Sequence, residues 1–185
     1  MNITKLPASV KVVKLGAGGL EMISLPIKDV AGKLLADAIP SVSIVKDGGY
    51  FAEAFGDDPA PEADLDFLIK HKLGLGRLAD FVIEGLVPYG AATSELRASM
   101  LRTASFSGLP VVRVGRGYPE GFADPDPWTI AGLNLTSTKA RLLLMACLMK
   151  FGSLPVATDP ANPTPAEITA LRLALDAYQV VFNTH

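Results

Sequence analysis

Apolar and polar positions near the start of the chain predict a β-hairpin. Two runs rich in apolar residues, at positions 10–15 and 20–27, flank the glycine-rich tetrapeptide at 16–19, and glycine supplies the backbone conformations that such a turn needs. A phosphate-binding loop is the alternative interpretation. The stretch lacks both the G-x-G-x-x-G spacing and a Lys-Ser/Thr pair after the glycines, so the hairpin is favoured. A short helix is predicted next, over residues 29–38.

From Pro40 onward, short apolar runs alternate with helical stripes. Three β-branched or apolar runs predict buried strands, at 40–45, 80–85 and 109–114. Spacings of three and four residues between apolar positions predict helices at 63–73 and 138–151 and a helix that ends at Ser107 after a cap at Thr93 or Ser94. A last helix is predicted from about Thr164, where Thr164 and Glu167 have the spacing of a capping box.

This alternation predicts an α/β fold: a three-layer parallel sheet with helices on both faces, in a doubly wound arrangement. The N-terminal β-hairpin precedes it. We therefore expect a hairpin or connection over residues 1–39 and an α/β domain over 40–185. The helix at 138–151 is apolar nearly all round, and we expect it to be the most buried of the helices.

Composition excludes several classes of protein. The chain is 49% apolar and 19% charged with a net charge of -2, and its basic residues are scattered, so the sequence predicts no nucleic-acid partner. The longest apolar run, residues 142–149, is far shorter than the ~20 residues that cross a bilayer. No apolar signal region follows the start. These features predict a cytoplasmic protein without a membrane partner.

Metal and disulfide chemistry have little support in the sequence. A single cysteine, Cys147, forms no intramolecular disulfide, and His71 and His185 give no zinc-ligand spacing. Cys147 lies in an apolar helical stretch, which predicts an inert core thiol. We expect neither a metal nor a cofactor.

The loop after the third predicted strand is the first candidate for a binding site, because ligands bind at the carboxyl ends of strands in open α/β sheets. Arg113 and Arg116 flank a glycine there. They suit either a bidentate clamp on an amino-acid-like or dicarboxylate ligand or display on the surface. Tyr89, Tyr118 and Trp128 are predicted on loops at the same edge, where aromatic side chains line a pocket, form an interface or anchor the loops.

Three blocks in order resemble the C-terminal domain of the bacterial-type asparaginase/glutaminase (amidohydrolase) family. They are FVIEG at 81–85, LPVVRV at 109–114 and NLTSTKARLLL at 134–144. The third is the most characteristic, because that family has a polar stretch followed by Lys-Ala-Arg and a run of leucine. The final YQVVFN at 178–183 is also similar to the end of such chains. The resemblance extends from about Pro40 to the C-terminus.

The resemblance does not extend to the nucleophiles. Members of that family attack a side-chain amide with a threonine in a Thr-Gly-Gly-Thr block, and use a second Thr-Asp-Thr block with a lysine. Neither block is present in these 185 residues. The stretch at 16–20 looks like the first block, but Ala17 and Leu20 occupy its hydroxyl positions. No catalytic residue can therefore be carried over, and whether the chain is itself an enzyme stays open.

In that family the C-terminal domain also lends two polar side chains to a neighbouring subunit's site. One is an asparagine after the second strand, where this chain has Pro88 and loses the amide. The other is an acidic residue in the loop after the third strand. Glu120, Asp124 and Asp126 are the candidates here, and each is suited to hold a substrate ammonium group.

Two hypotheses follow for function. The first is an asparaginase-like C-terminal domain that serves an amidohydrolase assembly through closure of the substrate site and oligomerisation. Its expected partners are a second copy of the chain or a separate N-terminal asparaginase-like subunit. The alternative is a non-catalytic module that binds a small carboxylate or amino acid, or another protein. An unrelated flavodoxin-like enzyme has the least support, because no phosphate-binding loop is visible.

Overall fold

The computed structural model describes residues 2–47, 63–85, 92, 95–115 and 126–185. Its strands form two sheets. An antiparallel pair is built from β1 (Ser9–Gly16) and β2 (Gly19–Pro26), and a parallel sheet has the order β3 (Ser41–Lys46), β4 (Ala79–Gly85), β5 (Val112–Gly115) and β6 (Ile130–Ala131). The predicted hairpin is confirmed. Gly16 pairs with Gly19 at its turn, and Gly19 has φ +113°.

Four α-helices accompany the sheets: α1 (Ala63–Gly74), α2 (Glu95–Phe106), α3 (Ser137–Phe151) and α4 (Pro165–Phe182). The Thr136 side chain caps α3 by accepting a hydrogen bond from the Lys139 amide. Thr164 and Glu167 form the capping box predicted for α4. Residues 93–94, predicted to cap α2, lie outside the described residues. No helix in the described ranges is long and apolar enough to cross a membrane.

Helices cover both faces of the parallel sheet, as the sequence predicts. Alternate residues of β4 point to opposite sides. Val82 lies in one core cluster with residues of α3 and α4, including Leu144 and Tyr178, whereas Phe81 and Ile83 lie in a second cluster with residues of α1 and α2. The three-layer α/β architecture is therefore confirmed.

The strand order differs from a doubly wound sheet. The four described strands of the parallel sheet are neighbours in the order in which they occur along the chain. Helices α1 and α2, which connect them, share one core cluster, and α3 and α4 lie on the other face. Right-handed crossovers that advance in one direction place their helices on one face. The described sheet consequently has no point at which the strand order reverses.

The hairpin packs against the starts of the parallel strands. Val12 is buried in the cluster with α3 and α4, and Val13 in the cluster with α1 and α2. The Ser153 amide donates to the Lys11 carbonyl at 2.9 Å, and the Val13 amide donates to Ser153 Oγ at 3.0 Å. These bonds join β1 to the segment that follows α3. The division of the chain at residue 39 stays a prediction.

Two details of the sequence interpretation are wrong. Residues 29–38 form only a short 3₁₀ turn at Ala36–Ala38. The Asp29 carboxylate accepts hydrogen bonds from the amides of Ala31 and Lys33, so it stabilises a turn in place of a helix. Helix α3 is not the most buried helix: five of its 15 residues are buried, against five of the 12 residues of α2, and Leu142 of α3 is 63% exposed. Its apolar sequence says nothing about which faces are covered.

Candidate functional site

Charged residues lie at or near the carboxyl ends of neighbouring parallel strands. Asp47 comes directly after β3, Glu84 is next to last in β4, and Arg113 lies in β5. Glu84 pairs with Lys46 on one side, and Arg113 pairs with Ile83 on the other. The Asp47 amide donates to the Glu84 carbonyl at 2.8 Å, which continues the β3–β4 pairing by one residue. Acidic and basic groups therefore lie within a few residues of this edge.

Asp47 and Arg97 form a buried ion pair at this edge. Arg97 Nε lies 3.0 Å from Asp47 Oδ1, and their side chains are only 9% and 1% exposed. Arg97 is in the first turn of α2, so the pair fixes the start of that helix to the end of β3. A carboxylate beside a helix N-terminus is also favoured by the helix dipole. Reasoning from sequence missed this pair; its one signal is a charge placed directly after a buried strand.

Two of the predicted binding residues bind each other. Arg113 Nη1 lies 3.1 Å from Asp126 Oδ2, and the Asp126 Oδ1 atom accepts a hydrogen bond from the Trp128 amide at 2.9 Å. The side chains of Arg113 and Asp126 are 11% and 27% exposed. A predicted carboxylate clamp and a predicted ammonium acceptor thus neutralise each other. Arg113 is nearly buried, so of the two only the Asp126 carboxylate is partly exposed to solvent.

The remaining predicted binding residues lie outside the described residues. They are Tyr89, Arg116, Glu120 and Asp124. Their contacts with a substrate stay predictions.

Trp128 is not at the edge predicted for it. Its ring centroid is 5.5 Å from that of Phe106, the last residue of α2, near the start of β5. The guanidinium groups of Arg102 and Arg172 lie 4.9 and 5.1 Å from its ring centroid. These distances are typical of cation–π contacts. Trp128 therefore anchors the chain before β6 against α2 and α4. Tyr118 lies outside the described residues.

Asp80 is a buried carboxyl at the start of β4. Oδ1 accepts a hydrogen bond from the Phe81 amide at 2.8 Å, and Oδ2 has no hydrogen-bond partner among the described residues. Burial raises the pKa of Asp80 well above its ordinary value. Burial likewise lowers the pKa of Lys72, which donates to the Ser41 carbonyl at 3.0 Å. This cluster is at the opposite edge of the sheet from Asp47.

Cysteine and metal chemistry add little to the site. Cys147 is buried, as predicted, and burial raises the pKa of its thiol to about 12. A thiol with such a pKa is almost wholly protonated near neutral pH and is a poor nucleophile. Within residues 2–47, 63–85, 95–115 and 126–185, no three His, Cys, Asp or Glu side chains are grouped to hold a metal ion.

Comparison with known proteins gives a similarity of shape. No model of a protein family matches the chain, and no curated protein sequence matches it. Its structure is similar to the crystal structure of the probable cytoplasmic L-asparaginase from Campylobacter jejuni, with 19% sequence identity and a TM-score of 0.46. The aligned region covers 88% of this chain and 47% of that protein. The chain thus spans about half the length of that asparaginase.

Proposed function

We propose that this chain is an asparaginase/glutaminase-like C-terminal domain that serves an amidohydrolase assembly. In this proposal it closes the substrate site and takes part in subunit association, whereas the threonine nucleophile comes from a polypeptide region outside this sequence. The expected partners are a second copy of the chain or a separate N-terminal asparaginase-like subunit. The proposal includes a cytoplasmic location, as the composition predicts.

The observation that carries the proposal is the placement of the three resembling blocks in the fold. FVIEG lies on β4, LPVVRV ends in β5 and NLTSTKARLLL forms the start of α3. Strands β4 and β5 are neighbours in the sheet, and α3 packs against both. The three blocks are separated along the sequence but lie together in the fold, with α3 packed on the neighbouring strands β4 and β5. A domain architecture like that of the resembling family requires such a placement.

The sequence lacks both threonine blocks with which members of that family attack the amide. No Thr-Gly-Gly-Thr or Thr-Asp-Thr block occurs in the sequence. The stretch that looks like the first block is the turn of the hairpin, where residues 17–19 are exposed. Strand β1, which leads into it, packs at the amino edge of the sheet through Val12 and Val13. Ligands of open α/β sheets bind at the opposite, carboxyl edge. The chain is therefore expected to shape a site without attacking the amide.

Reconstitution tests this function. A polypeptide from the same genome that carries both threonine blocks is purified, and ammonia release from asparagine and glutamine is measured for each protein and for their mixture. We expect a complex whose ammonia release exceeds the sum of the separate proteins, and we expect loss of that release when the partner's nucleophilic threonine is replaced by alanine. No association and no gain in activity would refute the assembly role.

A second candidate, binding of a small carboxylate or amino acid without catalysis, is favoured by the Arg113–Asp126 pair. A ligand that binds only the folded state stabilises it by about 2.7 kcal/mol at ~100 times its Kd. A thermal-shift screen with amino acids and dicarboxylates measures this effect. Arg113→Met is expected to abolish the shift, and Arg141→Met, on the exposed side of α3, is expected to retain it. A screen without any shift would remove the small-ligand function.

A further inference from the structure

Two arginine side chains from helices on opposite faces of the sheet converge on the indole ring of Trp128. Arg102 lies on α2 and Arg172 on α4. The Cζ atoms of their guanidinium groups are 4.9 and 5.1 Å from the Trp128 ring centroid. The two charges are therefore at most about 10 Å apart, which is one Debye length at ~0.1 M salt. At that separation salt screens their mutual repulsion only in part.

Neither guanidinium group has an acidic partner in the part of the chain that the structure describes. The carboxylate of Asp126, the described acidic residue nearest to Trp128 along the chain, is bound to Arg113 at 3.1 Å and to the Trp128 amide at 2.9 Å. Asp176, one helical turn after Arg172, forms no ion pair with it. Two like charges held close together without a counter-charge oppose folding. An anion that binds beside both of them would stabilise the folded protein.

The guanidinium group of Arg102 is held in place while its hydrogen-bond donors stay unused. Its Nε atom is buried and has no hydrogen-bond partner among the described residues. Its Cζ atom lies 5.7 Å from the Phe106 ring centroid as well as beside the Trp128 ring. The terminal nitrogens of Arg102 make no hydrogen bond within the described chain either, but they are not buried. Polar groups in such half-buried places normally have an acceptor, and the terminal nitrogens leave room for one that comes from solvent.

The charge and the donors of this arginine pair fit a phosphate group. Each guanidinium group presents a planar fork of N–H donors that binds two oxygen atoms at once. Two forks from different helices therefore suit an acceptor with more than two oxygens and with up to two negative charges. A phosphate group carries about −1.5 to −2 charges at pH 7 and has three strong acceptor oxygens. A carboxylate has a single charge and two oxygens, which one fork already satisfies.

We propose that Arg102 and Arg172, held on the ring of Trp128, bind a phosphate group. The ligand is free phosphate or the phosphate ester of a small molecule. Trp128 comes just before β6, so this site lies at the amino edge of the parallel sheet. Arg172 is exposed, and a ligand reaches it from solvent. The site uses neither the Arg113–Asp126 pair nor the carboxyl edge, and it does not rest on the proposed function.

The site carries its own reporter, because Trp128 is the single tryptophan of the chain. Sodium phosphate is titrated from the micromolar to the millimolar range, which spans weak dissociation constants, while sodium chloride keeps the ionic strength constant. We expect Trp128 fluorescence to change along a saturable binding curve. Chloride alone, over the same range of ionic strength, is expected to give no saturable change. An equal response to the two salts would mean that phosphate only screens the charges, and would overturn the proposal.

Substitution of each arginine tests the residues assigned to the site. Arg172→Met and Arg102→Met are each expected to weaken phosphate binding by about tenfold or more, because each removes charge-assisted hydrogen bonds. Arg172→Lys keeps the charge but lacks the fork, so its affinity is expected to lie between those of Arg172→Met and the wild type. Arg141→Met removes an exposed arginine from α3 and is expected to bind phosphate like the wild type. Isothermal titration calorimetry measures these affinities independently of the indole.

A phosphate ester distinguishes the two sources of the ligand. Glycerol phosphate is titrated in parallel, and tighter binding than that of inorganic phosphate identifies an ester as the ligand, whereas equal or weaker binding identifies free phosphate. Far-UV circular dichroism confirms that each variant is folded. Because Arg172 is exposed, Arg172→Met remains decisive even if Arg102→Met unfolds. No saturable binding of either compound, or wild-type affinity in folded Arg172→Met, would overturn the proposal.

Discussion

Replacing Asp47 by alanine removes the carboxylate that binds Arg97 between the end of β3 and the start of α2. Both side chains are almost wholly buried, and the two atoms are 3.0 Å apart. The change leaves a guanidinium group in a place that water reaches poorly. Removing one partner of a buried pair costs about 3–5 kcal/mol. At about 2–4 °C per kcal/mol for a chain of this size, the midpoint of thermal unfolding falls by about 6–20 °C.

The chain contains a matched control for this change. Lys70 and Asp66 form an ion pair on α1 with a separation of 2.6 Å, but their side chains are 67% and 46% exposed. An exposed pair at this i,i+4 spacing contributes only about 0.3–0.5 kcal/mol. Asp66→Ala is therefore expected to lower the unfolding midpoint by no more than about 2 °C. Each change removes one aspartate from a close ion pair, and the two pairs differ strongly in burial.

Differential scanning calorimetry of both variants measures the difference, and urea unfolding checks it at constant temperature. A double-mutant cycle with Arg97→Ala then isolates the coupling between the two side chains. The reasoning is refuted if Asp47→Ala costs no more than Asp66→Ala, or if the cycle shows no coupling. Either result would mean that α2 is held in place by other contacts.

Further predictions concern buried groups and the docking of the hairpin. The pKa of Asp80 is raised in the folded protein. The contribution of this carboxyl to the free energy of unfolding is therefore fully present below its pKa in the unfolded chain, ~3.9, and is lost as pH rises through its pKa in the folded protein. The unfolding midpoint of Asp80→Asn minus that of the wild type should therefore be larger at about pH 8 than at about pH 4. An equal difference at the two pH values would contradict this. Gly152 has φ +80°, and an added Cβ would lie 2.3 Å from the Lys11 carbonyl oxygen. Gly152→Ala is accordingly expected to lower the unfolding midpoint and to speed proteolysis of the hairpin. Gly18→Ala, at a position with open space around it, should change neither. Equal effects of the two changes would show that close packing of β1 against Gly152 does not hold the hairpin in place. Cys147, with a thiol pKa of about 12, is expected to react with a disulfide reagent only in denaturant, and rapid labelling of the native protein would show that it is accessible.

Local patterns predicted most of the elements because their causes are local. The apolar run of β4 and the Thr164–Glu167 spacing each specify a structure from neighbouring residues. Strand β6 has only two residues, too few for a periodic signal. The turn at residues 29–33 depends on hydrogen bonds from nearby amides to the Asp29 carboxylate. The composition of this segment does not favour such a turn over a helix. Predictions failed where a short segment has several local solutions.

The site was less predictable because its contacts join distant parts of the chain. Asp47 and Arg97 are brought together by the packing of α2 on the sheet, and no spacing in the sequence announces such a pair. Arg113 and Asp126 were each predicted as ligand contacts, and only the fold shows that they bind each other. Similarly, the apolar sequence of α3 cannot reveal that Leu142 is left exposed. Tertiary structure decides these points.

The proposed function requires that this chain shapes a ligand site without supplying the nucleophile. The direct test is incubation of the purified chain alone with asparagine and with glutamine, with ammonia release followed in solution and the intact protein weighed by mass spectrometry. We expect no release above the buffer blank and no acylated protein. Sustained ammonia release, accompanied by an acyl adduct on a threonine or serine of this chain, would contradict it.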